Sequence, residues 1–366
     1  MTEQIDYKSS GIDYEPIDKL KVYAQIQAAL TGDLLERHGF TETLTSRGES
    51  AYVFDVGEFY VAFTNEGLGT KNIVAEDYDS DKSDYWRYLA QDTIATIVND
   101  LATVGATPVT ISPHWAVGES RWFENENRSR GLVDGWKVAC EQVGASYAGG
   151  ETAVLPQIIE ANTVMLSGAA IGIIRPKERL VLGEKIRAGD SIVLIESSGI
   201  HANGLTLARR VAEELPLGYE TKLSNGKEYG DALLTPTHLY SPLVDRVLEE
   251  GLDIHYMVNM TGHGWRKLMR ANRPFVYQVH TIPRPQEEFD LIKRTANLSY
   301  KDMYETFNMG AGYAFMLPGD QAETLLGISE SFGLEALFAG QVRHGEKKVV
   351  IEPKQIIFDA DSLQIK

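Results

Sequence analysis

Glycine-rich turns stand at the ends of the strand-like runs in this chain, and their placement constrains the fold more than any other feature. EGLGTK (66–71) follows FYVAFT, and SSGIHANG (197–204) follows SIVLIE. AGGETA (148–153) follows a short strand-like stretch, TGHG (261–264) precedes a helical pattern, and NMGAG (308–312) opens another apolar run. Glycine allows turns where a Cβ would clash. Apolar strands joined by such turns to amphipathic helices predict layered α/β domains.

Residues 1–30 are polar and then, from 17 onward, weakly amphipathic, which predicts an arm followed by a helix. AYVFDV (51–56) and FYVAFT (59–64) alternate and flank Gly57 and Glu58, as a hairpin does. Leu89, Ile94, Ile97, Val98 and Leu101 recur at helical spacing over 84–104, with Gly105 as C-cap and Pro108 beyond it. A strand PVTIS (108–112), a helix over 129–143 and a strand TVMLSGAAIGII (163–174) complete a first half. The charged, turn-rich segment 175–190 marks a boundary, giving an arm (1–30), a first domain (31–180) and a second α/β domain (181–366). In the second half, SIVLIESSG leads to the helix TLARRVAEEL. Helices near 241–250 and 264–270 and strands near 311–316 and 338–342 follow.

Composition narrows the function. With 43% hydrophobic and 24% charged residues in 366, the chain can build two or three globular domains. A net charge of −17 without a basic run excludes nucleic acid as an expected partner. Cys140 is the single cysteine, so neither an intrachain disulfide nor a cysteine-based zinc site is expected, and a cytoplasmic setting is the default. No signal-like segment and no bilayer-length apolar stretch occurs, so no membrane partner is expected.

The turns carry the candidate chemistry. In 65–71, Gly67 and Gly69 let backbone donors approach phosphate oxygens, Thr70 and Lys71 add donors, and Glu66 can hold a cation. Asp92 and Asp100 lie about 80° apart around one helix, so they are expected to border one cleft. Asp100 sits in the apolar stretch IVNDLATVGA, where a carboxylate needs a cation or donors. Glu151, beside Gly149 and Gly150, supplies a third acid, and Mg²⁺ bound to ATP takes one or two carboxylates with waters and phosphate oxygens. A strand, a glycine turn and a helix start at 197–204 make an anion site to which His201 and Asn203 add hydrogen bonds, although Asn203 could instead simply cap the helix. His263, in the TGHG turn, is either a solvated polar residue or a ligand group.

Taken in order, these motifs resemble the aminoimidazole ribonucleotide synthetase (phosphoribosylformylglycinamidine cyclo-ligase) family along nearly the whole chain. The stretches are YKSSGID (7–13), EGLGTK, VNDL with VGATP (98–108), GGETA, GDSIVLIESSGIHANG (189–204), NMTGHG (259–264) and MYETFNMGAG (303–312). The resemblance implies two α/β domains, with N-terminal sheets pairing across a homodimer into a barrel. It further implies a cytoplasmic, ATP- and Mg²⁺-dependent enzyme of purine biosynthesis that closes formylglycinamidine ribonucleotide to aminoimidazole ribonucleotide. By position, Glu66, Asp100 and Glu151 would ligate Mg²⁺, and Lys71, Asp92 and His201 would be the catalytic groups. Lys8, Gly67, Gly69, Thr70, Lys71, Asn99, Gly149, Gly150, Asn203, Gly204, Gly262 and Gly264 would bind nucleotide.

The chain also departs from the family pattern. Glu66 replaces the usual Asp, Asn259 stands where the family has His, and His263 replaces a glycine of the second-domain turn. His114 and Trp115 replace an Asp-Tyr pair, and VLPQII replaces the usual continuation of GGETA. Two further readings therefore stay open: a paralogous ATP-dependent enzyme acting on another amide or phosphoryl acceptor, and a noncatalytic nucleotide-binding protein.

Overall fold

A computed structural model describes residues 14–363, so Lys8 and the motif at 7–13 lie outside the described residues. The first half contains α1 (Tyr14–Ala29), β1 (Thr41–Glu42), β2 (Tyr52–Asp55), β3 (Tyr60–Gly67), α2 (Lys71–Asp79), α3 (Ser83–Ala102), β4 (Thr107–Val117), α4 (Glu126–Gln142), β5 (Ser146–Tyr147), β6 (Glu151–Val154) and β7 (Val164–Ile174). The second half contains β8 (Ser191–Glu196), α5 (Leu205–Glu214), α6 (Tyr229–Leu233), α7 (Ser241–Glu249), β9 (Tyr256–Asn259), β10 (Phe275–Val279) and α8 (Glu287–Thr295). It ends with α9 (Tyr300–Thr306), β11 (Ala311–Leu317), α10 (Ala322–Ser331), β12 (Ala336–His344), β13 (Lys348–Ile351) and β14 (Ile356–Asp359). The helix expected over 264–270 is a 3-10 turn, Gly264–Met269.

Each half is built on a mixed sheet. The first runs β1-β2-β3-β7-β4-β5, with β6 also on β4; the second runs β14-β13-β10-β12-β8-β11-β9. The β2–β3 hairpin forms as expected, with Gly57 at φ +98° and its N–H donating to Asp55 Oδ1 at 2.7 Å.

Helix α3 positions the site. It is buried along most of its length, packing on β3, β7 and α4 and against the second half. Its approach to β7 needs glycine: a Cβ at Gly172 would lie 2.7 Å from Leu101 Cδ2, and one at Gly168 3.1 Å from Ile97 Cδ1. Polar residues on such a helix must find partners across the domain boundary. Gln91, Asp92 and Asn99 do so on segment 235–240, through Gln91 Nε2 to Thr237 O (2.8 Å), Thr237 N to Asp92 Oδ1 (2.8 Å), Asn99 Nδ2 to His238 O (2.9 Å) and Tyr240 N to Asn99 Oδ1 (2.7 Å). One cluster of buried apolar side chains runs through both halves.

The opposite face of the first sheet is open. Phe63 on β3 stands directly opposite Ile171 on β7, and with Val109 and Met165 it is about two-fifths exposed.

Candidate active site

Between the halves lies a cleft of about 270 Å³. One wall comes from the end of β3 and from α3, with Glu66, Gly67, Thr96 and Asp100. The other comes from the second half, with Ala202, Asn203, Thr261, Gly262, His263, Lys267 and Arg270; Lys21 of α1 stands at its edge. Carboxylates thus face cations across a small polar space.

The electrostatics follow from this placement. Asp100 is buried and accepts a hydrogen bond from Asn259 Nδ2 at 2.7 Å. Glu66 opens onto the cleft, yet the surrounding protein, with the Asp100 charge adding to it, raises its carboxyl to about 7. Lys267 is buried, donates to Asn259 O at 3.2 Å and to Thr261 Oγ1, and is lowered to about 8 by burial, which Asp100 partly offsets. Arg270 is held by Gly48 O (3.0 Å) and Ser50 Oγ (2.7 Å), so the β1–β2 connection braces a second-half cation. Burial, with neighbouring Arg266 and Lys267, lowers His263 to about 3, so its imidazole is neutral at physiological pH. Its backbone is left-handed, φ +68°.

A second, larger trough of about 860 Å³ adjoins the cleft on the open face of the first sheet and shares Glu66 and Gly67 with it. Strand register builds it: Gly67 lies opposite Ser167, Ser167 opposite His114, and His114 opposite Glu151. Ser167 Oγ donates to His114 O at 2.8 Å and lies 3.3 Å from His114 Nδ1. This polar row crosses four strands on a face otherwise rich in apolar side chains.

Several expectations from sequence change here. Glu66, Asp100 and Glu151 do not form one cluster: Glu66 and Asp100 share the cleft, whereas Glu151 lines only the trough. Among the described residues no three His, Cys, Asp or Glu side chains group closely enough to hold a metal. Asp92 does not border the cleft with Asp100, because eight residues of helix separate them by about 12 Å along the axis as well as by angle. Asp92 is instead buried against Thr237 and pairs with Lys71 Nζ at 2.8 Å. Lys71 is not a cleft lysine, since its ammonium is fully buried and also donates to Thr235 O at 2.8 Å. Asn99 has both amide ends bound to segment 238–240 and lines neither space.

His201 is buried at φ +59°; its Nε2 accepts from Ser198 N–H at 3.2 Å, and burial lowers its pKa well below the usual range. It therefore holds the turn as a neutral ring and does not line the cleft, whereas Asn203 does. The N-cap of α5 is Gly204, not Asn203, and a Cβ there would lie 2.1 Å from the Phe307 ring. Gly264 likewise packs on the backbone of Tyr304 and Glu305. Gly69 has φ +76°, and Thr70 Oγ1 meets Thr206 Oγ1 at 3.2 Å across the boundary. Gly67 and Gly262 line the cleft, while Gly149 and Gly150 line the trough.

Lys267, Arg270, Thr261, Thr96 and Lys21 were not expected from sequence. A signal existed: Lys267 and Arg270 stand three apart directly after TGHG, which puts both on one side of a turn of helix.

Comparison with known proteins agrees with this architecture. Residues 48–174 match the N-terminal domain, and residues 187–352 the C-terminal domain, of the AIR synthase related proteins. The chain is 32% identical over 340 residues to the phosphoribosylformylglycinamidine cyclo-ligase of Methanococcus vannielii, covering 92% of each protein. It is 33% identical over 322 residues to that of Methanosarcina barkeri, covering 87% of this chain and 91% of the other. In fold it resembles a chain of the HypE–HypF complex (TM-score 0.60, 16% identity, 86% of this chain and 93% of that one). It also resembles T. maritima PurL complexed with ATP (TM-score 0.56, 16% identity, 86% and 46%). Two family domains in order, spanning both sheets, and relatives above 30% identity over nearly the full length lead to one conclusion: the chain belongs to the AIR synthase related family.

Proposed function

We propose that this protein is an ATP-dependent cyclo-ligase that converts formylglycinamidine ribonucleotide to aminoimidazole ribonucleotide with release of ADP and phosphate. The observation that carries this reading is the cleft in which Glu66 and Asp100 face Lys267 and Arg270, taken with the names of the relatives. In the reaction, ATP transfers a phosphoryl group to the formyl oxygen, the amidine nitrogen attacks the activated carbon, and phosphate leaves as the ring closes. Such a step needs positioning and charge neutralisation more than covalent chemistry by the protein.

The residues divide that work. Lys267, Arg270 and Lys21 supply the local positive charge that an acidic chain must gather before it can hold polyphosphate. Asn203 and the 261–263 turn add neutral donors to the same cleft. Glu66 and Asp100 fit Mg²⁺, a hard cation that takes one or two carboxylates, and their shared charge in one cleft favours a cation between them. When bound, the ion would neutralise triphosphate charge. The trough lined by Ser167, His114 and Glu151, continuous with the cleft at Glu66, suits the acceptor. Its open apolar surroundings support a homodimer in which a second copy covers this sheet.

A second reading is a paralogous enzyme of the superfamily with another amide or phosphoryl acceptor. Asn259 favours it, because the side chain at the family's histidine position is committed to Asp100. Purified protein supplied with ATP, Mg²⁺ and formylglycinamidine ribonucleotide should release phosphate and aminoimidazole product in equal amounts. ATP turnover only with a different metabolite would favour the second reading, and nucleotide binding without turnover on any acceptor would leave a noncatalytic binding protein.

A further inference from the structure

Outside the cleft, at the β13–β14 edge of the second sheet, lies a concavity of about 620 Å³ lined by Tyr300, Lys301, Lys348, Lys354, Ile357 and Asp359. Its charge opposes that of the whole chain, whose net charge is −17. Three lysines share it with one aspartate, and a fourth, Lys293, stands 4.6 Å from the Tyr300 ring centroid; Lys354 stands 4.0 Å from the same centroid. Lys301 lies 5.8 Å from the Phe358 ring centroid. Several lysines elsewhere pair with carboxylates, as Lys82, Lys137, Lys177, Lys185 and Lys222 do. Among the described residues, Lys293, Lys301, Lys348 and Lys354 have no ion-pair partner, and Lys293, Lys348 and Lys354 are half-buried.

Asp359, directly opposite Lys348 across the β13–β14 ladder, is the one carboxylate among these lysines, so positive charge is in excess there, and an anion relieves the remaining repulsion. Lysines near an edge strand also deter strand pairing between molecules, but none of these four lies on the edge strand β14 itself, and that role needs neither a concavity nor lysines held against aromatic rings. We propose that this concavity is a binding site for a small phosphate-bearing anion, separate from the cleft. The lysines take the phosphates, and exposed Tyr300 and Ile357 border any organic part. The proposal does not depend on the cyclo-ligase reading.

The test is lysine acetylation of the full-length protein at low ionic strength, followed by mass spectrometry, with pyrophosphate and ADP as probes. Lys301, Lys348 and Lys354 should be protected several-fold by either probe. Stronger protection by ADP would assign a nucleotide, and equal protection the phosphate groups themselves. In calorimetry, K301Q/K348Q/K354Q should weaken pyrophosphate binding at this site at least tenfold, whereas K301R/K348R/K354R should retain it. Unchanged labelling rates with both probes, or unaltered pyrophosphate binding by the glutamine variant, would overturn the proposal. So would a glutamine variant that aggregates while labelling of the native protein is never protected, since that is the behaviour of an edge guard.

Discussion

At the level of single residues, one charged pair shows how burial reassigns a role. Lys71 ends a glycine-rich loop that reads as a phosphate cradle, yet it is the first residue of α2, and its ammonium turns inward to Asp92 and Thr235. Removing one partner of a fully buried pair leaves an uncompensated charge, so Lys71→Met should lower stability by about 3–5 kcal/mol in urea unfolding. A loss within experimental error would mean that the pair contributes nothing. Lys267 behaves oppositely, because it reaches the cleft and titrates near 8. It is cationic below that pH and neutral above it, so polyphosphate affinity should fall as pH rises through about 8. Calorimetry across pH 6–9 checks this, and K267R, whose guanidinium stays charged, should flatten the profile. His263, already neutral across that range, should not contribute.

At the level of elements, legibility followed periodicity. The β2–β3 hairpin, α3, α4, β7, β8, α5, α7 and β11 were readable because alternation or helical spacing persists along each. Helix α2 escaped because it is short and follows the glycine loop without a side-chain cap. Strands β10, β13 and β14 escaped because their pairing is set by distant partners: β13 runs parallel to β10, about seventy residues earlier. In the site, residue types were legible but directions were not. The 80° between Asp92 and Asp100 ignored the helical rise that sends one to the domain boundary and the other to the cleft. Asn99, a ligand group by sequence position, likewise ties α3 to segment 238–240. Asn99→Ala removes both ends of that tie at a buried boundary and should cost about 1–3 kcal/mol, read as a lowered midpoint in denaturant. An unchanged midpoint would show that the segment is held by other contacts.

At the scale of the whole molecule, α3 is buried between the two halves and ties them through Gln91, Asp92 and Asn99, while its Thr96 and Asp100 line the cleft. The first sheet carries an apolar face with a polar row across it, a pattern suited to burial against another surface rather than to water. If a second copy covers it, replacing the opposed pair by charge in F63D/I171D should shift the protein to monomer in analytical ultracentrifugation while circular dichroism stays native. A wild type that is already monomeric would remove the dimer. In the proposed reaction Asp100 and its facing cations serve ATP-driven ring closure, which is measured by steady-state product formation in wild type and Asp100→Asn. One phosphate should be released per aminoimidazole ribonucleotide formed, with at least a hundredfold lower rate in a variant that melts like wild type. Equal rates for the two proteins, or no product from a folded, Mg²⁺-replete wild type, would contradict it.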